Sequence, residues 1–301
     1  MKEPATEHPR EPLPLDSTAQ ILTRITSQLG SQLSLVSPNG TRRPMHRTRR
    51  SAPTLVAVAH GSRDPQALRT VLELLDRVRE LRPALDVRLG HIELNEPLLP
   101  DTLDAVGRGD AVLVPLLLGR GHHVRHDIPL AAAAASHLRT RVAAPLGPHP
   151  LLVEALYGRL VEAGWRDEDG TRRDCAVVLA AAGSRDPDSD VDARRTAALL
   201  SDRLGSVPVV PAYASAATPD VPTAVRALAA RGRHRVALAS YFTAPGRFAT
   251  VSAAAAPGIA AAPLGAHPAM ARLLLHRYDE ALTTTTPAHG ALTHPHLLAT
   301  A

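Results

Sequence analysis

The chain has little with which to make disulfides, thiolate clusters or aromatic stacks. Its 301 residues include a single cysteine, Cys175, so no internal disulfide can form. No CxxC pair exists for a zinc ribbon or an iron–sulfur cluster, and cysteine usage of this kind reads as cytoplasmic. Aromatic residues make up 2% of the chain, too few for a surface that stacks successive single-stranded bases. Apolar runs such as Val112–Leu118 are far shorter than the roughly 20 residues a helix needs to cross a bilayer. Lys2 is the one lysine among 34 basic residues, a bias simpler to explain by base composition than by a binding surface.

What is present begins with charge. The net charge of +5 suggests an anionic partner, but residues 1–53 hold eight basic residues against four acidic ones, so +4 of it lies in this segment. The segment is rich in Pro, Ser, Thr and Arg, with a weak helical pattern only over Ile21–Leu35, and is expected to be a disordered leader. It does not read as a secretion signal, because the apolar run after Arg50 is a strand-like LVAVA followed by His-Gly-Ser. Deleting residues 1–50 is expected to leave function intact. The rest of the chain is close to neutral, which argues against a nucleic-acid partner.

A length of 301 residues suggests two units of about 120–150 residues, and an internal repeat says where they fall. The run LVAVA ends in HGSRDP (60–65) and is followed by a helix with Leu68, Val71, Leu72, Leu75 and Val78 at helical spacing. At an offset of 122, CAVVLAAA leads into GSRDP (183–187) and another helix. Asn95-Glu96-Pro97 answers Ala217-Thr218-Pro219, Ala111–Leu118 answers Val236–Phe242, and PLGPHP (145–150) answers PLGAHP (263–268). Each half reads as strand, helix, strand, helix, strand, helix, short strand, helix. Near-continuous apolar strands in that alternation predict an α/β fold of two tandem doubly wound, flavodoxin-like parallel-sheet domains. The expected boundaries are a leader at 1–53, a first domain at 54–165, a linker at 166–173, a second domain at 174–282 and a disordered tail at 283–301.

In such folds a ligand sits beyond the carboxyl ends of the strands. There the first half carries His60-Gly61-Ser62-Arg63, then His91-Ile92-Glu93-Leu94-Asn95-Glu96, then Arg120-Gly121-His122-His123-Val124-Arg125-His126-Asp127. Imidazoles with a carboxylate suit Fe(II), Co(II), Ni(II) or Zn(II) and accept protons near neutral pH. Gly61 and Ser62 open a helix whose N–H groups can seat a carboxylate or phosphate, with Arg63 beside them. Against this, a histidine after a strand is often only a turn or cap. At most two of His122, His123 and His126 are expected to be functional, Glu96 reads as a charge near the N-terminus of the next helix, stabilising its dipole, and His91 and Asn95 read as structural neighbours. Cys175 reads as core. Comparison of the halves sharpens the choice: opposite His60, Glu93 and His123 the second half has Ala182, Ser215 and, with a two-residue shift, Arg247. A role in the shared fold would persist in both copies, so their joint loss points to chemistry done once, in the first half. The retained GSRDP reads as partly architectural.

With LVAVAHGSRDP at 55–65, HIELNEP at 91–97 and VLVPLLLGRGHHVRHDIP at 112–129, the chain resembles the sirohydrochlorin chelatases, the class II chelatases of the siroheme and cobalamin pathways. The resemblance covers about residues 54–282 and leaves the basic leader unexplained. It implies a two-domain enzyme, a lyase, that inserts Fe(II) or Co(II), in some members Ni(II), into the anionic tetrapyrrole sirohydrochlorin without ATP or a permanent cofactor. It also implies that His60, Glu93 and His123 bind the metal and assist proton removal. Ser62, Arg63, His122, Arg125 and Arg247 are the groups expected to meet the substrate's carboxylates. With both halves in one chain, a monomer or weak homo-oligomer is expected. A metal or tetrapyrrole carrier on the same fold is the alternative, separable by turnover. A phosphate-loop nucleotide binder is disfavoured, because neither GxGxxG nor GxxxxGK[ST] is present.

Overall fold

A computed structural model describes residues 52–284, so the disorder expected of the leader and most of the tail falls outside the described residues. The first half runs β1 (Thr54–Ala59), α1 (Pro65–Leu81), β2 (Val87–His91), α2 (Leu99–Val106) and β3 (Gly109–Pro115). A π-helical turn (His123–Asp127) then leads into α3 (Ile128–Ala134), β4 (Leu138–Val142) and α4 (Pro150–Glu162). A short helix, α5 (Asp167–Thr171), precedes β5 (Cys175–Ala181), α6 (Pro187–Arg203), β6 (Val209–Tyr213), α7 (Val221–Ala229), β7 (Arg235–Tyr241), α8 (Arg247–Ala254) and α9 (Pro268–Thr283).

All strands pair in parallel, in the orders β2-β1-β3-β4 and β6-β5-β7. In each sheet the chain reverses its direction of travel at the first strand, so the space between β1 and β3, and between β5 and β7, opens at the carboxyl ends. The central strands β1 and β5 are buried on both faces, as their apolar runs predict, whereas the edge strand β4 exposes Arg139 and Arg141. Leu55, Ala57 and Ala59 of β1 enter one core while Val56 and Val58 enter another, the period of two expected of a pleated strand. The larger core is common to both halves, taking in Val112 and Val114 of β3 with Val177 and Leu179 of β5, whereas each sheet's outer face has its own smaller core. Cys175 is buried in the larger core, as read from the sequence, and burial pushes its thiol pKa up.

The repeated GSRDP builds the same turn twice. Asp64 and Asp186 cap α1 and α6, their carboxylates accepting from the N–H of Gln66 and Asp188, with Pro65 and Pro187 at the first helical position. Gly61 and Gly183 have φ of +101° and +87°, and a Cβ at either would stand 1.8 Å from the carbonyl oxygen of Glu93 or Ser215. Only glycine fits that backbone approach.

One expected element is reduced. The short fourth strand of the second half is a single bridge, Leu238 with Ala260. Aligned on the PLG motifs, Pro257 and Gly258 stand where β4 has Arg139 and Thr140. Proline cannot donate to the ladder and glycine loses most entropy on ordering, so pairing stops at one rung.

The last helices are exchanged. α4, from the first half, packs on β7 and α6, whereas α9, at the end of the second half, packs on α1, β3 and β4 as well as on α4. Polar ties follow the same crossing. Arg82 of the first half makes a bidentate pair with Asp279 (2.6 and 2.8 Å), Arg141 donates to the carbonyls of Ala281 and Leu282, and Arg159 donates to the carbonyl of Leu264. No helix among the described residues is long and apolar enough to cross a membrane.

Candidate functional site

A cleft of about 1060 Å³ opens at the carboxyl ends of both sheets, lined from the first half by the segments around His60–Asp64, Glu93–Asn95 and Leu116–Val124. The second half adds Ala181–Ser184, Tyr213 and Tyr241–Ala249. This is at the upper end of the roughly 300–1,000 Å³ of ordinary small-molecule pockets.

Backbone pairing places the first two candidate groups. Beyond β1 and β2 the ladder continues, Ile92 N–H donating to Ala59 and Glu93 N–H to His60, so residues 33 apart in sequence stand side by side. His60 Nε2 lies 3.5 Å from a Glu93 carboxylate oxygen. Its Nδ1 faces the carbonyl of Gly61 at 3.3 Å, so both ring nitrogens have an oxygen nearby. The third group arrives from β3. The π-helical turn brings residues four apart onto one face, and His123 Nδ1 donates to Asp127 Oδ2 at 2.5 Å. The His123 ring then meets that of His60 edge to face, centroids 4.9 Å apart.

The three side chains singled out from strand ends and from the repeat therefore meet in one place. Among the described residues no three His, Cys, Asp or Glu side chains are arranged to hold a metal ion, so His60, Glu93 and His123 are neighbours and not a preformed metal site. Their counterparts diverge as the sequence comparison says: Ser215 N–H donates to Ala182 in the geometry of Glu93 and His60, with no imidazole or carboxylate attached.

Among the groups expected around the rim, Ser62 is held by its N–H donating to Asn95 Oδ1 at 2.7 Å, and its hydroxyl accepts from Asp64 N–H. Asn95 is thus the structural neighbour the sequence suggests. So is His91, 2% exposed, whose Nδ1 donates to the carbonyl of Pro97. Arg63 and Arg247 line the cleft from opposite halves, both exposed and neither in an ion pair among the described residues. His122 also lines it, its ring 4.7 Å from that of His126. Arg125 does not line the cleft: its guanidinium is taken by Asp186 and Asp188 of the second half.

Three features were not legible as site components. Asp127 orients His123, a role signalled only by the i, i+4 spacing. Tyr241, buried, donates its hydroxyl to the carbonyl of Leu118 beneath the His123 loop, and burial raises its pKa. Leu94, half exposed on the cleft wall, has φ +69°, an uncommon conformation for a non-glycine residue.

A family model described as CbiX matches this chain twice, over residues 54–163 and 176–281, as an internal repeat requires. The sirohydrochlorin ferrochelatase of Bacillus subtilis (strain 168) is 28% identical over 173 residues, 55% of this chain and 64% of that protein. The sirohydrochlorin cobaltochelatase of Priestia megaterium is 26% identical over 197 residues, 63% of each chain. The chain thus spans slightly less than two thirds of the length of these relatives. Among solved structures, SirB from Bacillus subtilis with Fe3+ superposes with a TM-score of 0.63 at 24% identity, over 77% of this chain and 96% of that one. That likeness concerns the fold.

Proposed function

Since the chain belongs to the CbiX family, we propose that it is a metal chelatase that inserts Fe(II) or Co(II) into sirohydrochlorin, in siroheme or cobalamin biosynthesis, with the metal as substrate. The observation that supports this most directly is the meeting of His60, Glu93 and His123 at one end of a cleft large enough for a macrocycle. The reaction replaces two pyrrole N–H bonds with bonds to the incoming M2+ and releases two protons. It therefore needs weakly holding ligands that are also bases, on one face of the ring.

His60 is the principal ligand and base, its Nε2 beside the Glu93 carboxylate. Glu93 offsets charge as the metal sheds water. His123, its Nδ1 proton held by Asp127, presents Nε2 as the second imidazole ligand. Ser62, Arg63, His122 and Arg247 meet the carboxylates of the macrocycle, with Arg63 and Arg247 reaching from the two halves. The test is an anaerobic absorption assay on sirohydrochlorin with Fe(II), Co(II) and Ni(II) in turn. Many turnovers per chain support the reading. Stoichiometric capture without turnover would make the protein a carrier.

A further inference from the structure

Ion pairs across the cleft are unevenly shared between the halves. The loop after β3, which carries His122 and His123, is tied to the second half at both ends. Arg120 gives Asp192 its backbone N–H (2.8 Å), Nε (3.0 Å) and Nη2 (2.7 Å). Arg125 pairs with Asp186 (3.2 Å) and Asp188. The matching loop after β7 has no such tie among the described residues, and its Arg247 forms no ion pair. The repeat shows where the difference arises. Asp186 answers the capping Asp64, but Asp188 and Asp192 stand where the first half has Gln66 and Thr70. Two carboxylates are thus peculiar to the half that lacks the candidate chemistry, and both face the loop that carries it.

We propose that the second half is a positioning element: Asp188 and Asp192 fix the Arg120–Arg125 segment and thereby set His123 against His60. The catalytic part of this inference rests on the chelatase reading. The Asp192 side chain is only 4% exposed, and a buried carboxylate is tolerated only when fully paired, so the loop is either docked on Asp192 or leaves a costly unpaired charge behind. The contact is close: a Cβ on Gly119 would stand 3.4 Å from Asp192 Cβ. Holding the halves together does not require these pairs, because the exchanged helices and the common core already do so.

The test uses the full chain with Asp192→Asn, which keeps the shape and an acceptor but loses the charge, and with Asp188→Asn. Hydrogen exchange is followed in residues 119–127, β1 and β5, and kcat and KM for sirohydrochlorin are measured with saturating Co(II). The expected result is exchange at 119–127 faster by about fivefold or more with β1 and β5 unchanged. With it, kcat should fall by about tenfold while KM stays within about twofold. Unchanged exchange at 119–127, equal loosening of the whole fold, or an unchanged kcat over a loosened loop would each overturn the proposal. If Asp192→Asn does not fold, Asp188→Asn, at a half-exposed site, decides by the same readouts. A wild-type chain that metallates nothing sinks the chelatase reading, and the exchange measurement then decides alone whether the second half holds the loop.

Discussion

A single hydrogen bond settles which nitrogen of His123 is available. Because Asp127 can only accept, Nδ1 carries a proton and Nε2 is the nitrogen left over, on a ring that stands edge to face with His60. Asp127→Asn, which can offer an N–H to the ring and release the opposite tautomer, is expected to lower metallation by about 10–100-fold with little loss of stability, the usual scale for removing a ligand's orienting partner. On the chelatase reading His60→Ala removes the proposed base and ligand and should lower kcat by about 10²–10⁴-fold; a wild-type rate would end its assignment. Arg63→Ala is expected to raise KM for the tetrapyrrole at nearly constant kcat, since an exposed, unpaired arginine contributes binding rather than chemistry. That His60, Glu93 and His123 would meet was legible, because strand ends in a doubly wound fold converge and the second half lacks all three. Asp127 was not, because its role depends on a π-helical turn that periodicity does not reveal. Nor was the commitment of Arg125, whose partners lie about sixty residues away on another helix.

At the scale of elements, the motif PLGPHP and its echo PLGAHP turn out to be helix starts. His149 Nδ1 accepts from Leu151 N–H to cap α4, and His267 Nδ1 accepts from Ala269 N–H to cap α9. A ring nitrogen accepts only while unprotonated. Burial, with Arg277 and His276 nearby, lowers the His149 pKa to about 4, and burial with Arg159 lowers that of His267. Glu280 opposes the shift at His149 and Glu162 that at His267, each the weaker influence. Both folded-state values lie below the roughly 6.5 of an unfolded chain, so the unfolded state binds more protons in between. The stability these caps contribute is therefore complete above about pH 6.5 and declines as the pH falls toward 4. Denaturant unfolding between pH 7 and 4.5 should show that decline, and His149→Asn, which keeps a capping oxygen without a titrating ring, should flatten it. Sequence reading found the repeat of this motif but not its purpose, since histidine is not among the usual caps. It likewise found a fourth strand in each half, where Pro257 and Gly258 leave only one rung in the second.

The two sheets, their parallel pairing and their relation by repeat were legible from the grammar of apolar runs and GSRDP turns alone. The crossing of α4 and α9 was not, because a helix pattern says that an apolar stripe must be covered but not by which neighbour. Expressed alone, residues 52–166 would lack α9, which covers β3 and β4, and should give a dye-binding chain without cooperative unfolding. Removing residues 1–50, in contrast, should leave kcat and KM for metallation unchanged, since every group assigned to the site lies beyond it.

The same crossing limits how the cleft can work. Two lobes joined by a single tether can gape to admit a flat ring and shut behind it, but here each lobe wears a helix belonging to the other, and α4 and α9 also grip one another. Wide hinging would strip both sheets at once. On the chelatase reading, a rigid macrocycle therefore enters and leaves past the rim, by the segments after β1 and β7, while the loop after β3 is held by Asp186, Asp188 and Asp192 and the two sheets stay where they are.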